Sequence, residues 1–464
     1  MKPSFRFAVV MSISALLTAC ANFSAGSLFS HYSAQNRALY TAVGTGDYQQ
    51  AQSLLSESVA GDILDNMEKG RVEFLNEQYD QSLQALTLSN QAVREQQDQA
   101  LVSVSETVTN IGSLAVNDNL TTYQPADYEL SFLYLYSTLN YLQKNDLEGA
   151  LVEIRRGNMA QERAKQAREA ELQKAQNEAE SNGISPSVGS IISRYPDAGK
   201  KLQAVQNGYL LFLSALLYET DGDLNAAYID YKRALAVAPN NPEIIDRTMR
   251  LARYLGMNED LALLSKKYSQ PEPLKEGEGR VIVLDEQSVV QAMQGWRLDL
   301  PIYDSRGNGA IYSVALPYYP NTSVERMSPL TIDNKSSNGN ELTNVNLMAQ
   351  QHLSEEITAI VLRQAVRVWL KDRIRKEAAR GDDVGNLVLN IWNTVTEQPD
   401  TRSWLTLPAS IKSHSFVTNE GTHTISSNGK DYSFPVRSGQ TTLVWLSRQG
   451  NNNVVWHKQL GSIL

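Results

Sequence analysis

Four segments of the chain repeat one local pattern, and that recurrence limits the possible folds more than any other feature. Each has a helix-forming stretch, a tight turn, and a second helix-forming stretch with a small residue at a fixed place. The turns fall at Gly46-Asp47-Tyr48, Glu77-Gln78-Tyr79, Asn145-Asp146-Leu147 and Gly222-Asp223-Leu224; at the same offset beyond them stand Ala51, Ser82, Ala150 and Ala227. Small side chains there let two antiparallel helices approach closely, while aromatic residues fill the wider gaps beside them. The last segment, YLLFLSALLYETDGDLNAAYIDYKRALAVAPNNPE, has Tyr218 before its turn, then Ala227, Tyr231 and Ala234, with Pro239 closing the second helix. In the third, Tyr134 and Tyr141 take the matching first-helix places ahead of Ala150; in the second, Gly70 falls where the helices cross.

On those residues the fourth segment resembles the tetratricopeptide repeat almost position by position. The resemblance implies TPR-like helical repeats over residues 31–268, with a concave surface that holds a peptide or another protein. Spacing between the units is irregular, so a uniform superhelix is not expected. Part of the extra length is the run 159–181, MAQERAKQAREAELQKAQNEAES, whose strong helix formers and few large apolar residues predict an extended helix with much of its surface wet. A loop with Pro186 and Pro196 follows, and a further helix pair from Pro242 through Leu264 is expected to cap the array.

Residues 269–279, SQPEPLKEGEG, read as a polar linker. Beyond it the periodicity shortens to β-rich runs, RVIVLD, WRLDLPIYD and GAIYSVALPYY, with Pro301 and Pro317 confining strands to edges or ending them. SPLTIDNKSSNGNELTNVN predicts a strand followed by an exposed loop. Leu353 to Ala379 predicts a helix whose stripe of Leu353, Ile357, Ile360, Val361, Ala365 and Val368 packs on the sheet while its basic residues face water; lying on anionic lipid is the lesser alternative. Another helix is expected around Asn386 to Val395. From residue 400 onward, short runs separated by Gly or Asn turns predict antiparallel strands in a small sandwich-like module, its first strand locked to the adjoining core by Trp404, Leu405 and Leu407. The expected fold is multidomain: N-terminal all-α TPR-like helical repeats, then an α+β, β-rich C-terminal region over 280–464.

The front of the chain is targeting information. Lys2 and Arg6 precede an apolar run from Phe7 to Leu17 that is too short to span a bilayer well, with small residues before Cys20. Leu17-Thr18-Ala19-Cys20 resembles the lipobox of bacterial lipoproteins, which implies a signal peptide at 1–19, a diacylglyceryl group on the Cys20 sulfur, an acylated Cys20 amine, and a lipidated tether at 20–30. Cys20 is the only cysteine, so no disulfide competes for it. By the same resemblance, Ala21 and Asn22 in place of an aspartate favour the outer membrane, making the membrane the first partner, reached through lipid. A formal charge of −9 with no long basic block excludes nucleic acid as a partner.

Taken with the VIVLDE strand, the VALPYYP segment, the LRQAVRVWLKD helix and DTRSWLTLP, these features resemble a family of proteobacterial outer-membrane lipoproteins with irregular tetratricopeptide-like repeats and a C-terminal α/β module. That resemblance implies a role in cell-envelope or surface-machine assembly beside an unidentified periplasmic or outer-membrane protein, for which another lipoprotein is a candidate. No cofactor, metal or phosphate motif stands out: His31, His352, His414, His423 and His457 lack metal-ligand spacing, and there is no Gly-x-Ser-x-Gly elbow. The leading reading is therefore a non-enzymatic scaffold. The alternatives are a regulator of peptidoglycan synthesis and an enzyme acting on peptidoglycan, whose best residues would be Asp400, Arg402 and His414, with structural pairing the simpler account of Asp400 and Arg402.

Overall fold

The computed structural model describes residues 31–55, 60–103, 122–161, 163, 206–272, 275–303, 309–320, 327–378 and 398–462. The leader, Cys20 and its tether, the 159–181 helix beyond 163, the Pro186/Pro196 loop and the helix expected at 386–395 lie outside the described residues.

An all-helical repeat region comes first. Its helices are α1 (Tyr32–Gln35), α2 (Arg37–Thr45), α3 (Tyr48–Ser53), α4 (Asp62–Leu75), α5 (Tyr79–Ser103), α6 (Asp127–Gln143), α7 (147–161), α8 (Gly208–Asp221), α9 (Leu224–Val237), α10 (Pro242–Tyr254) and α11 (Asn258–Lys267). The turns α2/α3, α4/α5, α6/α7 and α8/α9 share one construction. Gly46, Glu77, Asn145 and Gly222 each adopt a left-handed conformation, with φ of 79°, 60°, 56° and 85°. The next residue then starts the second helix: its carbonyl accepts from the amide of Ala51, Ser82, Ala150 or Ala227 at 2.9 to 3.1 Å. Where that residue is Asp47, Asp146 or Asp223, its side chain also caps the helix, accepting from Gln50, Gly149 or Ala226. The capping pair α10/α11 turns the same way through Gly256, φ 70°, with Leu261 at the small-residue place.

A β-rich module follows: β1 (Glu278–Gln287), β2 (Gln294–Tyr303), β3 (Gly309–Tyr318), β4 (Leu330–Ile332), β5 (Lys335–Ser337), β6 (Asn340–Asn344), α12 (Val345–Ala378), β7 (Ser410–Asn419), β8 (Gly421–Ser427), β9 (Lys430–Val436), β10 (Gln440–Gln449) and β11 (Asn452–Ser462). The main sheet has the order β11-β10-β1-β7-β6, and β4, β5, β8 and β9 form a second sheet. Strand β1 is central and buried on both faces, as a near-continuous apolar run requires. Alternation decides what each residue meets: Ile282 and Leu284 join the core shared with the helices, whereas Val281 and Val283 meet Ile425, Phe434 and Val436 of the second sheet. The layers are thus helices, main sheet, small sheet.

Three expectations need correcting. The pairs β8-β9 and β10-β11 after residue 400 are antiparallel as expected, but these strands form no module of their own: β7 pairs antiparallel and β10 parallel with β1 in one sheet. The chain leaves the main sheet after β7, makes the β8-β9 hairpin across the face of β1, and returns on the other side of β1. The segment expected to be a strand and a loop instead forms β4, β5 and β6. Asp333 and Asn334, at φ 46° and 63°, make the two-residue turn between β4 and β5 that a right-twisted hairpin prefers. The two prolines match expectation. Pro301 and Pro317 sit in the two-stranded ribbon β2-β3, where each strand has a free edge. Helix α12 begins at Val345 and not at Leu353, with Asn344 Oδ1 accepting from the Leu347 amide at 3.1 Å. Leu353, Ile357 and Val361 of its stripe are buried and Ile360 is half-buried, while the side chains of Ala365, Val368 and the basic residues after Arg363 lie outside the described ones. Helix α12 packs on β3, β7 and α6.

The amino end of the described chain is stapled to the C-terminal module. In α1 the Ser33 amide donates to Thr401 Oγ1 at 3.2 Å, and Ser33 Oγ donates to the Met293 carbonyl at 2.5 Å.

Candidate functional site

The residues around Trp404 form neither helix nor strand, yet Trp404, Leu405 and Leu407 are fully buried. A buried backbone outside a ladder must find acceptors elsewhere. Two carboxylates supply them. Glu68 of α4 accepts from the Leu405 amide at 2.6 Å, the Thr406 amide at 3.2 Å, Thr406 Oγ1 at 2.6 Å and the Tyr32 hydroxyl at 3.3 Å. Glu129 of α6 accepts from the Trp404 amide at 2.7 Å, the Ala126 amide at 2.8 Å and the hydroxyls of Tyr123 and Tyr128. Burial pushes the Glu68 carboxyl up from 4.5 to about 8 against these donors, and raises Glu129 as well. First helices of successive repeats therefore grip one buried segment of the C-terminal region.

A second polar station lies where α4, α6 and α8 meet the main sheet. Glu286 of β1 accepts from Arg71 Nη2 at 2.8 Å, Trp445 Nε1 at 3.0 Å, Tyr136 at 3.1 Å, and Tyr209 and Ser447 at 3.3 Å. The Arg71 guanidinium also lies 4.5 Å from the Tyr136 ring centroid. A third station joins α8, α10 and β1, where Glu219 pairs with Arg247 and Arg280, and Arg280 reaches Glu243 at 2.9 Å. Burial works to raise Glu219, but Arg280 and Arg247 outweigh it and hold the carboxyl below its usual range. The first station binds helices to the irregular segment at Trp404, and the second and third bind helices to the main sheet.

The proposed enzyme residues separate into different neighbourhoods. Asp400 and Arg402 pair with each other at 2.6 Å, and Arg402 lies over the Tyr123 ring. His414, in β7, has Nδ1 2.7 Å from Ser337 Oγ and Nε2 3.6 Å from Asp285. This looks like a Ser-His-Asp set, but its geometry is structural. The Asp285 separation exceeds a hydrogen bond, and Arg448 already holds both Asp285 oxygens at 2.8 and 2.6 Å. His423 faces Asp333 and His457 faces Tyr432. Among the described residues no group of three or more His, Cys, Asp or Glu side chains could hold a metal, and no helix is long and apolar enough to cross a membrane.

The repeat-packing residues named from sequence are distributed as follows. Ala150, Ala227, Tyr231 and Ala234 are fully buried, as are Ala51 and Ser82. Tyr134 donates to Asn90 Oδ1 at 3.1 Å, Tyr231 to Glu219 at 2.8 Å, and Tyr218 accepts from Arg155. Tyr141 packs partly buried against the core, where a Cβ on Gly149 would come within 2.5 Å of its ring. At Gly70 a Cβ would stand 2.5 Å from Leu86, so the helix crossing needs glycine. Sequence reasoning missed Glu68, Glu129, Arg71 and Glu286; the available signal was a carboxylate inside an apolar stretch, as in DYELSFLYLY and VIVLDE.

No family model matches the chain, and no curated protein does. Among solved structures, it is similar to MamA of AMB-1 at 14% identity and a TM-score of 0.26, over 50% of this chain and 87% of that one. A second MamA crystal structure gives 8% identity and 0.28, over 54% and 100%. The TPR2AB domain of yeast Sti1, in a complex with pHSP90, gives 11% and 0.20, over 50% and 88%. At such scores these likenesses carry no weight for this chain, and its helical repeat rests on its own turns.

Proposed function

We propose that the chain is a non-enzymatic scaffold for protein–protein interaction in cell-envelope or surface-machine assembly, held at the outer membrane by lipid on Cys20. The observation that supports this reading is the series of helix pairs built on one turn and fastened to the Trp404 segment and to the main sheet by buried carboxylates. Such a body is a firm platform with repeated outward surfaces. Its partner is a periplasmic or outer-membrane protein, with another lipoprotein a candidate.

Crosslinking followed by gentle detergent extraction is expected to yield a protein partner in fixed stoichiometry; recovery of the chain alone would remove the scaffold reading. Cys20→Ser is expected to release the protein from the membrane fraction, and unchanged partitioning would remove the anchor.

A further inference from the structure

Second helices of successive repeats turn one face outward. On α7, α9 and α11, one position keeps the same offset from the left-handed residues Asn145, Gly222 and Gly256, and it holds Val152, Ile229 and Leu263, exposed by 37%, 58% and 62%. One helical turn further on, the exposed residues are Arg155, Lys232 and Lys266. The three helices lie side by side: Asn158 of α7 reaches Asp230 of α9 at 3.3 Å, and Tyr228 and Lys232 of α9 reach Asp260 of α11 at 2.7 and 2.5 Å. These contacts join offset 13 to 8 and offsets 6 and 10 to 4, so equivalent positions step obliquely from helix to helix, giving a slanted apolar row with a basic row along one flank. The other flank carries Glu148, Asn225 and Glu259. Single exposed aliphatics are ordinary. Recurrence at one offset in three consecutive units is not, since the first two units place Ser53 and Gln84 there.

We infer that this outer face docks an amphipathic helix of another protein, with acidic residues along one side of its apolar stripe. The inference rests on the scaffold reading and names its surface. Charge complementarity selects the occupant: a partner carboxylate beside the apolar row meets Arg155, Lys232 and Lys266, whereas a basic flank would meet like charge. The occupant should thus carry apolar side chains that recur along its length, with Asp or Glu beside them.

The test is photocrosslinking of the full chain in its own cells, with benzoylphenylalanine placed by Ile229→benzoylphenylalanine or Leu263→benzoylphenylalanine, and by Gln84→benzoylphenylalanine as control. Adducts at the first two sites should map by mass spectrometry to an acidic, amphipathic helical segment of a different protein. Arg155→Glu with Lys232→Glu should lower their yield by about tenfold, and changing the mapped carboxylates to lysine should restore it. Adducts with lipid, with a second copy of this chain, or with a segment lacking that acidic flank would overturn the assignment, as would no adduct at all. If those sites are silent while a stoichiometric partner still copurifies, the surface is wrong and the scaffold stands; if no partner copurifies, the scaffold itself fails.

Discussion

Asp285 and Glu286 follow the apolar run 281–284 in β1, and the period of two sends them to opposite faces. Each is buried and each meets an arginine from another element, Arg448 on one face and Arg71 on the other. Removing one member of such a pair strands a charge without solvent. Glu286→Gln or Arg71→Met is expected to cost about 3–5 kcal/mol in denaturant unfolding. Glu286→Gln with Arg71→Met together should cost clearly less than the two added, and strict additivity would show that the pair is not coupled. Glu68 gives a dependence on pH. Its carboxyl titrates near 8 in the folded chain and near 4.5 when exposed, so the folded state holds the extra proton between those values. Its contribution is complete below about pH 4.5 and fades as pH climbs through 8. Glu68→Gln should flatten that part of the stability profile; an unchanged slope would mean that another group sets it.

At the scale of elements, what could be read was local chemistry. Gly46, Asn145 and Gly222 announce left-handed turns because few other residues adopt them cheaply, and the following aspartates announce caps. Glu77 does the same job without announcing it. The proline-bearing ribbon was legible for the same reason, since a missing amide restricts a strand to an edge. Pairing over long separations was not. RVIVLD was legible as a β-rich run, but nothing local says that its parallel neighbour begins at Gln440. The segment through Trp404 has no period to follow, and its acceptors sit on helices far earlier in the chain. On those helices the period itself is masked: every residue from Tyr128 to Asn140 is buried, so α6 shows no wet face.

At the scale of the molecule, the order of a helical region and a β-rich module was visible in the change of periodicity, while the core they share was not. Ile282, Leu284 and Trp445 belong to the same apolar cluster as Phe132 and Leu213. Residues 31–268 expressed alone should therefore lose cooperative unfolding or aggregate, because α6 and α8 would expose faces that the sheet now covers. A monomeric fragment with a sharp thermal transition would contradict this.

Ser33 is hydrogen-bonded to both Thr401 and Met293, and this staple has a mechanical consequence. A pull entering at residue 31 reaches the β-rich module through α1 before it can peel any repeat from its neighbour. Tension entering there is therefore shared with the β-rich module through Ser33 and is not carried by the repeat turns alone.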